Sequence, residues 1–252
     1  MSIRSELCRR ERDFLLFPWS HRLLWLPSRV VMSPGCVSPT GESSELCARA
    51  AEQGVGLVLA EGVFPLGAAG ELRPLGGREL RAWKQWLRAL HRSACRVAAG
   101  MELVLPPGEN RGAVQRMAEL AAAAAADARC LGFDALELQM RGASALSPDV
   151  ARVLSRVMHA LRRAVGRRFP LLLRLPADGG AAAELLPTEL DMVACAAGTS
   201  PDAAAALRSR TGRAVMLSSA GAPLPWLTRH LRDGGVDLVL VHDVAELQRL
   251  LR

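Results

Sequence analysis

The sequence predicts an α/β fold, a parallel (β/α)8 TIM barrel, and three observations carry that expectation. Short runs rich in Val and Leu alternate with longer amphipathic stretches of Ala, Leu and Arg. The short runs are near-continuously apolar rather than alternating with polar residues, which is the pattern of a parallel sheet covered on both faces. Eight such units fit into 252 residues, the size of a bare (β/α)8 barrel. A doubly wound open sheet is the competing fold, but no G-x-G-x-x-G follows the first strand.

In chain order, strands are expected at Arg29–Ser33, Val55–Ala60, Arg96–Leu103, Phe133–Leu138, Pro170–Leu175, Leu190–Ala194, Ala214–Ser218 and Val236–Val241. Each is a β-branched or Leu-rich run of strand length. Helices are expected at Ser43–Gln53, Arg78–Arg92, Gly112–Arg129, Ser147–Val165, Pro201–Arg210, Leu224–Arg232 and Val244–Leu251, with a weak one near Ala181–Leu186. The run Ala121–Ala126 is simple in composition, yet Ala is the best helix former, so it reads as a tightly packed helix. Residues 1–252 are expected to form one barrel domain, with residues 1–28 as an N-terminal capping segment.

Composition narrows the function. Half the chain is apolar and 23% is charged, which is globular rather than disordered. No uncharged apolar run reaches membrane-spanning length. The start carries Arg4, Arg9, Arg10 and Arg12, as a targeting sequence would, but Glu6, Glu11 and Asp13 argue against one. Six cysteines are scattered without C-x-x-C, so they read as reduced thiols of a cytoplasmic protein, and no metal site is expected. The net charge is +7, and all but one of the 32 basic residues are arginine. These arginines spread over many helical faces. The cluster Arg162-Arg163 with Arg167-Arg168 sits where a helix C-terminus needs cations, so nucleic acid is not the expected partner. There is no tyrosine, which removes every mechanism that needs a phenolic acid.

In a barrel of this kind the chemistry sits at the C-terminal ends of the strands. Those positions hold Ser33, Pro34, Gly35 and Cys36, then Glu61 and Gly62, then Glu102. They continue with Glu137 and Gln139, Arg174, Ser218, Ser219 and Gly221, and finally His242 and Asp243.

Five segments carry a family resemblance. Phe14 to Cys36 (FLLFPWSHRLLWLPSRVVMSPGC) resembles the opening strand of the old yellow enzymes, NAD(P)H:flavin oxidoreductases. Ala50 to Gly62, Ala82 to His91, Leu131 to Gln139 and Val165 to Leu175 resemble later family segments, in the same order. The resemblance implies a barrel that binds FMN and passes hydride from its N5 to an activated alkene. It further implies cofactor-binding roles for Ser33, Pro34, Cys36, Glu61, Arg174 and Gly221, with Arg174 facing flavin N1.

The departures are as specific as the matches. The family's paired strand-4 donors are replaced by Gln139, and the strand-3 glutamine by Glu102, which as a carboxylate only accepts hydrogen bonds. The phosphate-gripping Gly-Arg after the last strand is replaced by His242-Asp243, which sets a carboxylate against a dianion. The family's long lid insertions shrink to Leu105–Gly108 and Ser144–Pro148.

FMN is implied by the resemblance, while these substitutions argue against its retention. The expectation is therefore a barrel that has lost flavin-dependent ene-reduction and serves as a pseudoenzyme or binding protein. Its partner would be a small molecule at the mouth or another protein. Gln139, Glu102 and His242 are the catalytic candidates. A non-redox isomerase, cyclase or lyase with Glu61, Glu102, Glu137 and His242 as candidate acids and bases is the first alternative, and an FMN-dependent oxidoreductase with another proton donor the second. Glu137 is expected to be a core residue satisfied by backbone amides.

Overall fold

Continuous apolar runs have no solvent face to offer, so they are stable only when helices cover one side of the sheet and a packed interior the other. The computed structural model describes residues 11–21, 24–64, 75–93, 95–105, 111–140, 146–175, 183–219 and 222–251. In it a short antiparallel hairpin, β1 (Trp19–His21) and β2 (Leu24–Leu26), precedes eight parallel strands. These are β3 (Val30–Met32), β4 (Leu57–Glu61), β5 (Ala98–Leu105), β6 (Ala135–Met140), β7 (Leu171–Arg174), β8 (Met192–Ala194), β9 (Ala214–Ser218) and β10 (Leu238–Val241). They close in sequence order, with β10 beside β3, into the expected barrel.

Among the described residues, seven α-helices surround the barrel: α1 (Glu42–Glu52), α2 (Gly77–His91), α3 (Arg111–Leu131), α4 (Pro148–Val165), α5 (Pro201–Thr211), α6 (Leu224–Arg232) and α7 (Val244–Leu251). The weak helix expected near Ala181–Leu186 is a single 3-10 turn, Ala183–Leu185, so among the described residues the fifth unit has no full helix. Two helix starts follow capping rules closely. Ser147 and Ser200 accept hydrogen bonds from Val150 N and Ala203 N, each followed by Pro at the first helical position.

Two apolar cores flank the sheet. The outer one joins alternate strand residues to the helices, and includes Trp83, Trp86 and Phe133 in mutual ring contact. The polyalanine helix belongs here: Ala121, Ala124, Ala125 and Ala128 are buried. The inner core fills the barrel with Leu57, Leu59, Leu172, Met192, Met216 and Leu240, among others. The hairpin contributes Trp19, Leu24 and Leu26 to that same inner cluster.

One device recurs at alternate strand entries. Asp134, Asp191 and Asp237 each precede a strand by one residue. Their carboxylates accept from the backbone amide of the neighbouring strand, at Ala99 N (2.8 Å), Leu171 N (3.0 Å) and Val215 N (3.0 Å). Each also meets a cation at or near the end of a preceding helix, His91 (2.9 Å), Arg162 (2.6 Å) and Arg208 (2.8 Å). Arg162 therefore does more than complement a helix dipole. It donates to the carbonyls of Gly166, Phe169 and Glu189 as well as to Asp191, tying the end of α4 to the strands it leads into.

Candidate functional site

Side chains two apart on a strand point to the same face, so the residues that continue the inner core upward converge at the C-terminal mouth. Leu59 leads to Glu61, Gly100 to Glu102, Ala135 to Glu137, Leu172 to Arg174, Met216 to Ser218, and Val31 to Ser33. Apolar layers thus give way to a layer of charge over a single residue step.

Arg174 organises that layer. Its Nη2 donates to Glu137 Oε2 at 2.6 Å, to Ser33 Oγ at 3.1 Å and to Glu102 Oε2 at 3.3 Å. Ser33 Oγ in turn donates to Glu102 Oε2 at 3.0 Å. Glu137 is fully buried and Glu102 nearly so. Burial pushes the Glu137 carboxyl up to about 7 against the opposing pull of Arg174. Burial raises Glu102 too, with Arg174, Ser33 and His242 working the other way and the nearby Glu61 adding to the rise. Burial disfavours the charge on Arg174, but Glu137 and Glu102 outweigh it and hold its pKa above the ordinary arginine value. Glu137 Oε1 and Arg174 Nε are buried without hydrogen-bond partners among the described residues.

The expected site residues divide accordingly. Ser33, Glu102 and Arg174 meet in one cluster. Glu61 ends β4, with its charge felt at Glu102, and forms an isolated bridge with Cys36, whose side chain is exposed. Pro34 is half-buried after β3. Gln139, also half-buried, lies opposite Arg174 in the β6–β7 register, so its replacement of a family donor falls beside the cluster. His242 is exposed, with Nε2 3.2 Å from Ser218 Oγ. Gly221, most of Leu105–Gly108 and part of Ser144–Pro148 lie outside the described residues. Glu137 departs from expectation: its partner is the Arg174 guanidinium, not backbone amides. Its two-residue spacing ahead of Gln139 was the available signal that it points into the mouth. Among the described residues, no group of three or more His, Cys, Asp or Glu is placed to hold a metal. No helix there is long and apolar enough to cross a membrane.

The far side of the mouth has a second arrangement that sequence reasoning missed. In barrels of this fold, anions are commonly held by the loops after the seventh and eighth strands and by a helix N-terminus. Here the amides at that place are already engaged by carboxylates of the chain. His242 N donates to Glu246 Oε2 at 2.7 Å, and Glu246 N to Asp243 Oδ1 at 2.6 Å. Ser219 Oγ donates to Glu246 Oε1. Glu246 is buried, with these donors around its carboxyl oxygens.

Fold and site together define a parallel (β/α)8 barrel whose mouth carries a self-paired charge cluster. No protein-family model matches the sequence, and no curated protein sequence matches it. Solved structures do. Histamine dehydrogenase from Rhizobium sp. 4-9 shares 15% identity at a TM-score of 0.71, over 96% of this chain and 47% of that one. Morphinone reductase shares 17% at 0.67, over 90% of this chain and 84% of that one. TcOYE, solved with pHBA, shares 14% at 0.69, over 90% and 88%. The chain thus spans about half the length of the histamine dehydrogenase, and it has the fold of the old yellow enzymes.

FMN can be tested against these residues. At the ring end, Arg174 retains an unpartnered Nε, but its Nη2 is engaged by two carboxylates, and Glu102 offers no donor unless protonated. At the phosphate end, the amides a dianion would need are taken by Glu246 and Asp243, and both carboxylates would face it. The residues present do not fit FMN.

Proposed function

We propose that this protein is an old-yellow-enzyme-like barrel that has lost flavin-dependent ene-reduction and acts as a binding or assembly protein. The observation that carries the reading is that two groups of polar side chains at the barrel mouth are already paired within the chain. Arg174 is bound to Glu137 and Glu102, and the last helix start is filled by Glu246 and Asp243. The absence of tyrosine and the replacement of the family's donor pair by Gln139 support it. The reading takes residues 1–252 as one barrel domain capped by residues 1–28, which is supported by the packing of Trp19, Leu24 and Leu26 into the barrel interior. A cytoplasmic location is part of the same proposal, supported by the five free thiols of the described residues.

The test is the visible spectrum of the purified protein. A colourless preparation supports the reading, and stoichiometric flavin absorbance ends it. A second variant checks the assignment of the two ends: Glu102→Gln with Asp243→Arg should improve FMN binding measurably over the parent. No improvement would mean the flavin position has been misplaced.

A second reading, a non-redox isomerase, cyclase or lyase, draws on one observation. Glu137 titrates near 7 and Glu102 is raised in the same cluster, so one proton can be held and released there around neutral pH. It predicts a small molecule released from the protein on denaturation and lost in Glu102→Gln, detectable by mass spectrometry.

A further inference from the structure

A groove of about 790 Å3 runs along the outside of the barrel between α3, α4 and the segment that follows the 3-10 turn. Its floor is small and apolar, with Ala118, Ala151 and Leu186 buried beneath it. One edge is a row of exposed basic side chains on α4: Arg152, Arg156, His159 and Arg163. Their spacing of four, three and four residues puts them on one helical face, over about 16 Å of axis.

Three acids, Glu119, Glu184 and Glu189, also line the groove, and each is engaged within the chain. Glu119 accepts from Gln115 at 2.7 Å, Glu189 pairs with His159 at 3.1 Å and accepts from Thr188, and Glu184 is bound by Arg210. Asp149, one turn from the groove, takes Arg152 at 2.8 Å. Arg156 and Arg163 are different. Among the described residues they make no ion pair or side-chain hydrogen bond, although Arg is the cation best suited to paired bonds with a carboxylate. An apolar floor under two spare guanidiniums two turns apart is complementary to one kind of ligand.

We propose that this groove docks an acidic amphipathic helix of a partner protein. Its apolar face lies over Ala118, Ala151 and Leu186, and its carboxylates meet Arg156 and Arg163. The alanine floor lets the partner backbone approach closely, and matched helical spacing brings charges into register along the groove. The inference rests on the reading of the chain as a binding protein and names the surface that does the binding.

The probe is a fluorescein-labelled peptide of about 14 residues, long enough to span the row, with Leu on one helical face and Glu beside it. A scrambled peptide of the same composition is the control, and anisotropy is the readout. The patterned peptide should bind at least ten-fold more tightly than the scrambled one, and weaken on raising salt to about 0.5 M. The exposed double variant Arg156→Glu, Arg163→Glu should lose at least ten-fold. That loss should be recovered with a peptide whose Glu residues are changed to Lys. Equal binding of both peptides, no binding, or an unaffected double variant would overturn the proposal. Flavin bound at the mouth would overturn the binding-protein reading without altering these results, so the two fail separately.

Discussion

Nη2 of Arg174 lies 2.6 Å from Oε2 of Glu137, a carboxylate with no exposed surface. The pair sits where the apolar barrel interior ends, so each charge depends on the other for its place in the fold. Removing one partner leaves the other buried and unpaired, whereas removing both leaves only a packing change. Arg174→Met should therefore lower unfolding stability by about 3–5 kcal/mol. The double change Arg174→Met with Glu137→Leu should recover most of the loss in urea denaturation.

The same carboxylate sets a pH dependence. Folded Glu137 holds its proton up to about 7, against 4.5 for the free side chain. Between those values the folded state binds the proton and the unfolded state has released it, so stability falls as pH rises through the window and levels off above it. Glu137→Gln should remove that slope from urea midpoints measured across pH 4.5 to 7. His91, raised through its hydrogen bond to Asp134, adds stability that is complete below its ordinary 6.5 and lost as pH climbs through its folded value. His91→Gln isolates that second decline.

The aspartates at the strand entries make a separate prediction. Asp191 accepts from both Leu171 N and Arg162, so Asp191→Ala strands a backbone amide and a guanidinium that it served. A cost of about 1–3 kcal/mol is expected from unfolding curves, with Asp191→Asn, which still accepts, costing less.

Two glycines should respond differently to alanine. A Cβ on Gly56 would lie 2.4 Å from the carbonyl oxygen of Ser28 and 3.0 Å from its nitrogen, both backbone atoms. A Cβ on Gly100 would meet Leu59 Cδ2 at 2.6 Å, the end of a side chain that can turn away. Gly56→Ala should accordingly give the larger drop in thermal midpoint, with about 1–3 kcal/mol expected for overpacking.

Much of the barrel was legible in the chain, because eight near-continuous apolar runs alternating with helices call for a parallel sheet buried on both faces. Their alternation also placed Ser33, Glu102 and Arg174 at one end. Two things were not legible. The pairing of Arg174 with Glu137 depends on the β6–β7 register, which brings Gln139 opposite Arg174 and leaves Glu137 within reach. The role of Glu246 depends on the turn between β10 and α7, where a helix residue folds back onto His242 N and Ser219. Read along the chain, Asp243-x-x-Glu246 marks a helix start, but nothing in that spacing shows that Glu246 also reaches Ser219. The fifth unit departs from expectation for a local reason: Leu-Pro at 186–187 stops the helix after one turn.

If the chain's own carboxylates fill the barrel mouth as proposed, FMN finds no site there. Titration of the purified protein with FMN, followed by flavin fluorescence, tests it most directly. The account predicts unchanged fluorescence for the parent protein, and quenching that emerges when Glu246→Ala is combined with Glu102→Gln and Asp243→Arg. Saturable one-to-one quenching by the parent protein would contradict it.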